Sequence, residues 1–192
     1  MKLLIHICCA PCTIYPLKVL RQEGHDLAGF FYNPNIHPYL EYKRRLDTLK
    51  DYAVDEGMTV LYDETYPMET FLRSVVKDEA NRCRYCYAMR LHHAAQMAQK
   101  EKFEGFTTTL LYSKYQKHEW IRATGEEAAA EYGVPFVYYD FREGWSEGVE
   151  KSRQLGLYRQ PYCGCIYSEK ERYFKNKSVS IKPHLSREQH FP

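Results

Sequence analysis

The chain has 192 residues, 44% of them hydrophobic and 27% charged, a composition that suits one soluble globular domain and argues against disorder. With 27 Lys and Arg against 25 Asp and Glu, the net charge is only +2, which permits a nucleic-acid partner without demanding one. No apolar run approaches the roughly 20 residues of a membrane-spanning helix, so no such span is expected.

In chain order the pattern alternates strand and helix. Lys2–Ile7 reads as a strand, followed by a helix from about Pro11 to Gln22 that stops at Gly24. Leu27–Tyr32 is a second strand, broken by Asn33-Pro34-Asn35; a long amphipathic helix then runs from about Pro38 to Glu56. Met58–Tyr62 is a third strand, and helical pattern returns over Met68–Asp78 and Cys83–Glu101. Phe106–Tyr112 is a β-rich fourth strand, Lys117–Tyr132 a helix, and Val134–Phe141 a fifth strand. Five strands separated by helices imply a three-layer α/β/α fold with a parallel sheet, whose ligands bind beyond the carboxyl ends of the strands. The expectation is a single α/β domain over residues 1–192, with 142–192 a C-terminal extension that folds back.

There are 7 cysteines, an odd count that intramolecular disulfides cannot consume. The start of the chain is a poor leader. Its apolar stretch is short, contains His6, runs straight into Cys8 and lacks a small-residue cleavage signature. A reducing, cytoplasmic setting is expected, where clustered thiols mean metal or redox chemistry more often than disulfides. They fall in three groups: Cys8, Cys9 and Cys12 after the first strand, Cys83 and Cys86 opening a helix, and Cys163 and Cys165 flanking Gly164. Buried structural thiols are one alternative. A structural zinc site is a stronger one, but it would use four of the seven. An iron–sulfur cluster also takes four thiolates and leaves three for a second metal or for substrate.

The sequence resembles the QueH type of epoxyqueuosine reductase. The resemblance rests on His6-Ile7-Cys8-Cys9-Ala10-Pro11-Cys12, on Phe31-Tyr32-Asn33-Pro34-Asn35-Ile36-His37-Pro38, on Cys83-Arg84-Tyr85-Cys86 and on Phe106-Thr107-Thr108-Thr109-Leu110-Leu111. It continues through Gly156-Leu157-Tyr158-Arg159-Gln160 to Tyr162-Cys163-Gly164-Cys165. It implies reductive deoxygenation of epoxyqueuosine to queuosine, at the wobble position of tRNA, without cobalamin. It also implies a core like that of the nucleotide α-hydrolase (HUP-like) tRNA-thiolating enzymes. Those carry a glycine-rich phosphate loop where this chain has Cys-Cys-Ala-Pro-Cys, so no ATP chemistry is expected.

The reaction needs two electrons from an external donor, two protons and a route for the leaving oxygen. A [4Fe–4S] cluster on four of the cysteines and a second mononuclear metal, iron or zinc, on the others meet those needs, and Asp140 is the best-placed carboxylate to complete the second site. His118 and Tyr112 are the candidate proton donors. His37, with Asn33 and Asn35, is a candidate contact for the modified base. Arg84, Arg142 and Arg159, with Arg82, Arg153, Lys114 and Lys117, stand beside tyrosines (Tyr85, Tyr158, Tyr162) in a way that suits phosphate contact plus base stacking. Lys43-Arg44-Arg45 reads as a solvated helix face. Two other readings remain: a zinc-stabilised RNA-binding module without catalysis, and a thiol-based sulfur carrier.

Overall fold

The computed structural model describes residues 1–174. The elements run β1 (Lys2–His6), α1 (Ala10–Gln22), β2 (Asp26–Phe31), α2 (Tyr39–Asp55), β3 (Val60–Tyr62), α3 (Met68–Val75) and α4 (Arg82–Lys100). They continue with β4 (Gly105–Thr108), α5 (His118–Tyr132), α6 (Trp145–Gln154) and α7 (Ile166–Tyr173). The strands form one parallel sheet in the order β3-β2-β1-β4. Its two faces follow from the period-2 alternation of β1. Leu3 and Ile5 pack with Leu17, Leu20, Tyr42, Leu46 and Leu49 of α1 and α2. Leu4 faces the other way, with Phe30, Phe106 and the alanines 94, 95 and 98 of α4. Small residues there let α4 lie close to the sheet.

The sheet has four strands, not the five expected. Phe106–Tyr112 is extended only as far as Thr108. The Thr108 hydroxyl accepts from the Leu110 amide at 3.1 Å and turns Thr109–Tyr112 into a 3-10 helix. That leaves β4 short. The segment expected as the fifth strand, Val134–Phe141, meets it through a single parallel bridge, Phe106 to Phe136. Two hydrogen bonds make the bridge, Phe106 N to Pro135 O at 2.9 Å and Val137 N to Phe106 O at 2.8 Å. Pro135 has no amide to extend it. The expected C-terminal extension contains two helices, α6 and α7, within its described part, and residues 175–192 lie outside the described residues. Among the described residues no helix is long and apolar enough to cross a membrane.

Candidate metal centre

The carboxyl end of β1 delivers the first thiols. Ile7 still pairs with Phe30 O at 2.8 Å, and the backbone then turns at Cys9 into α1, with Pro11 at the helix start where a missing amide costs nothing. The Sγ atoms of Cys8, Cys9 and Cys12 lie within 4.8 Å of one another, that of Cys8 3.7 Å from that of Cys9. Cys9 and Cys12 are buried and Cys8 is partly buried. Donors converge on these sulfurs. The Gln160 amide donates to Cys9 at 3.0 Å and to Cys12 at 3.5 Å, and the Thr109 hydroxyl to Cys8 at 3.3 Å. Thr109 is itself held by the Cys8 amide at 3.0 Å.

The three thiols divide their protons unequally. Hydrogen bonds from Cys12 and then Cys9 hold Cys8 well below the ordinary thiol range, against burial and with help from the Arg90 charge. Its bond to Cys8 pushes Cys12 up, and burial pushes Cys9 up. The trio therefore favours one thiolate, on Cys8, and the others ionise only when a further positive charge arrives.

Cys83 and Cys86 lie one turn apart at the start of α4. Burial raises both thiols, Cys86 to about 12, and the charges of Cys163 and Cys165 add to the effect. These four thiols are thus electrostatic neighbours. Cys163 accepts from the Gln116 amide at 3.1 Å, and Gln116 is held by the Tyr87 hydroxyl at 2.7 Å. The Cys-Gly-Cys loop is fastened to α2 by Arg45. This buried guanidinium donates to Cys163 O at 2.8 Å, Tyr162 O at 3.0 Å and Glu41 at 2.8 Å. Tyr158 donates to the same carboxylate. Gly164 fits where a Cβ would stand 3.2 Å from the Asn35 amide and 3.3 Å from Ile36. The solvated reading of Lys43-Arg44-Arg45 is therefore wrong for Arg45.

The other expected site residues differ in burial and in the partners they hold. Asn33 is fully buried, donating to Ile7 O at 2.9 Å and accepting from Arg90 at 2.7 Å. Asn35 is buried with its Oδ1 unpartnered among the described residues. His37 is buried against Phe71 and Tyr66, and its backbone anchors the thiol loop through Gly164 O at 2.8 Å and the Tyr162 hydroxyl at 2.6 Å. Tyr112 is buried and spends its hydroxyl on Trp145 O at 2.9 Å. His118 is buried at the start of α5, and neither ring nitrogen has a hydrogen-bond partner among the described residues. Burial, then the Arg142 charge, lowers its pKa. Asp140 is exposed, accepts from the Arg142 amide at 3.1 Å and pairs with that guanidinium, which brings its pKa down to about 2. Arg84 is exposed and lies 4.3 Å from the Trp120 ring centroid, with Lys117 on the same ring at 3.8 Å; Arg142 and Arg159 are also exposed.

Sequence reasoning missed Arg45, Arg90, Thr109, Gln116 and Gln160 as site residues. A signal existed for Arg90, four residues after Cys86 and so on the same helix face. None existed for Gln116, whose contact is made across 47 residues of chain.

The family model described as epoxyqueuosine reductase QueH matches residues 3–171. A protein of that name from Dehalococcoides mccartyi is 38% identical over 177 residues, covering 92% of this chain and 97% of the relative. One from Thermotoga maritima is 38% identical over 189 residues, covering 93% and 96%. Among solved structures, a "predicted subunit of tRNA methyltransferase" from Methanocaldococcus jannaschii superposes with a TM-score of 0.50 at 10% identity, covering 79% of this chain and 74% of that one, a likeness of fold alone. The thiol-lined strand end thus sits in a chain whose sequence matches one family along nearly its whole described length, and the chain belongs to the QueH family of epoxyqueuosine reductases.

Proposed function

We propose that this chain reductively deoxygenates epoxyqueuosine in tRNA: the epoxide, two electrons and two protons give the cyclopentene of queuosine and water. The observation that carries the reading is the trio Cys8, Cys9 and Cys12, its sulfurs within 4.8 Å of one another and met by side-chain donors. Thiols so crowded are poor as neutral packing and good as metal ligands, and N–H and O–H donors aimed at sulfur suit metal-bound thiolates. The donor set therefore fits iron–sulfur ligation.

A [4Fe–4S] cluster takes four thiolates, and the trio offers three, so its ligands span at least two segments. The α4 pair is the natural complement, because Arg90 touches Cys86 and also feels Cys8. The remaining thiols would hold the second metal, iron or zinc. Asp140 can join them only by giving up Arg142. When bound, the cluster supplies single electrons from an external donor and the second metal a Lewis acid for the epoxide oxygen. ATP has no role in this reading, in keeping with Cys-Cys-Ala-Pro-Cys in place of a phosphate loop on a nucleotide α-hydrolase-like core, and the family resemblance implies none for cobalamin.

The chain's own residues bind and move protons. His118 is the better proton-donor candidate of the two, because neither ring nitrogen has a hydrogen-bond partner among the described residues and the Tyr112 hydroxyl is committed to Trp145. Asn35 has a buried acceptor, unpartnered among the described residues, to offer the base, while Asn33 and His37 hold the walls. Arg84, Arg142 and Arg159 face solvent and meet the phosphates of the anticodon loop. The enzyme works in the cytoplasm, where its tRNA is.

Metal and labile-sulfide analysis of protein purified without air tests the ligation. Iron and sulfide in the ratio of one [4Fe–4S] cluster, with a further metal, supports it. Zinc without sulfide, after attempted reconstitution, returns the chain to the binding-module reading.

A further inference from the structure

Among the described residues two arginines are buried, and they differ in one respect. Arg45 meets the carboxylate of Glu41 at 2.8 Å. Arg90, 2% exposed, pairs with no carboxylate among the described residues. Its Nη2 donates to Asn33 Oδ1 at 2.7 Å and its Nε to His6 Nε2 at 3.3 Å, both neutral partners. The third contact is Nη1 to the Cys86 sulfur at 3.6 Å. A buried guanidinium whose hydrogen-bond partners are all neutral is a costly arrangement, tolerated where a nearby anion completes it. The sulfur it touches is Cys86, and the further charges it feels are those of Cys8 and Cys163, one from each of the other cysteine groups.

We propose that Arg90 is the built-in counter-ion of the thiolate-held metal centre, a positioning residue that favours the more reduced and more negative state of that centre. The inference rests on the iron–sulfur reading above. Its physics is simple. A [4Fe–4S] cluster on four thiolates is anionic and gains a further negative charge on reduction. A fixed cation in a low-dielectric site stabilises the reduced form more than the oxidised form, which raises the potential. Arg90, one turn from Cys86 on α4, also ties that helix to β1 through His6 and to the loop after β2 through Asn33.

The test compares Arg90→Lys and Arg90→Gln with the parent protein, each reconstituted with iron and sulfide without air. Three quantities are read: iron retained against a chelator, the reduction potential of the cluster, and the urea midpoint of the metal-free protein. Arg90→Gln is expected to retain iron at least tenfold less well, or to shift the potential negative by about 59 mV for each tenfold loss in relative stabilisation of the reduced form. Its metal-free form should resist urea as well as the parent, because the stranded charge is gone. Arg90→Lys should keep most of the retention and potential. Equal loss in both variants would show that charge is not the cause and overturn the proposal, as would a potential and retention unmoved by Arg90→Gln. Metal-free variants that both fail to fold would make Arg90 a structural tie and also overturn it. A parent protein that takes up no iron would fail the ligation reading instead, so the two failures are distinguishable.

Discussion

Replacing Arg45 by Met should undock the Cys-Gly-Cys loop. The guanidinium reaches Glu41, Tyr162 O and Cys163 O, at 2.8, 3.0 and 2.8 Å, from a position 2% exposed. Its removal strands the Glu41 carboxylate, itself 8% exposed, with only the Tyr158 hydroxyl for company. Breaking one partner of a buried ion pair costs about 3–5 kcal/mol. The two carbonyls lose a charged donor, worth about 1–3 kcal/mol each, but the Met side chain refills the apolar volume and the loop can relax toward water. The net expectation is about 3–5 kcal/mol in urea unfolding of the metal-free protein, a large share of the roughly 5–15 kcal/mol such a domain has. Adding Glu41→Gln should recover about 1–3 kcal/mol by removing the stranded charge, without re-docking the loop. Alkylation of Cys163 should accelerate in both variants. A loss below about 1 kcal/mol with unchanged alkylation would refute the clamp.

Gln160→Ala removes the amide from Cys9 and Cys12 and should weaken metal retention about 10- to 100-fold, read by chelator competition. Gly125→Ala gains about 1 kcal/mol of helix propensity but sets a Cβ 2.5 Å from the Phe136 ring, where overpacking costs about 1–3 kcal/mol; net destabilisation in urea is expected, and net stabilisation would deny the close approach. Tyr112→Phe should cost about 1 kcal/mol and spare turnover, since only the bond to Trp145 O is lost; a collapse of turnover at unchanged stability would make the hydroxyl a proton donor after all. The folded pKa of His118 lies below its unfolded value, so the stability it contributes is complete above about pH 6.5 and drains as pH falls through the folded value. His118→Gln should flatten that acid limb of stability against pH; equally steep limbs would contradict the assignment.

Hydrophobic period located β1, α1, β2, α2, β3, α4 and α5 within a few residues, because each places apolar residues on a face the sheet buries. The pattern over 134–141 was equally apolar, but its partner strand ends at Thr108 and Pro135 offers no amide, facts of pairing that no single segment contains. Helix α6 was invisible for the opposite reason: its buried residues are Gly148 and Ser152, so no large apolar side chain marks its inner face. The thiols were legible as a site from their clustering alone. Arg45 was not, since its burial depends on carbonyls 117 and 118 residues further along the chain.

Reduction of the epoxide can be followed directly on the tRNA. Protein reconstituted with iron and sulfide, reduced with dithionite without air, is incubated with tRNA carrying epoxyqueuosine, and the tRNA is digested and its nucleosides are weighed by mass spectrometry. Loss of one oxygen to give queuosine is expected, with no cobalamin and no ATP added, and no conversion by the metal-free protein. Untouched epoxyqueuosine in the presence of a fully loaded, reducible centre would contradict it.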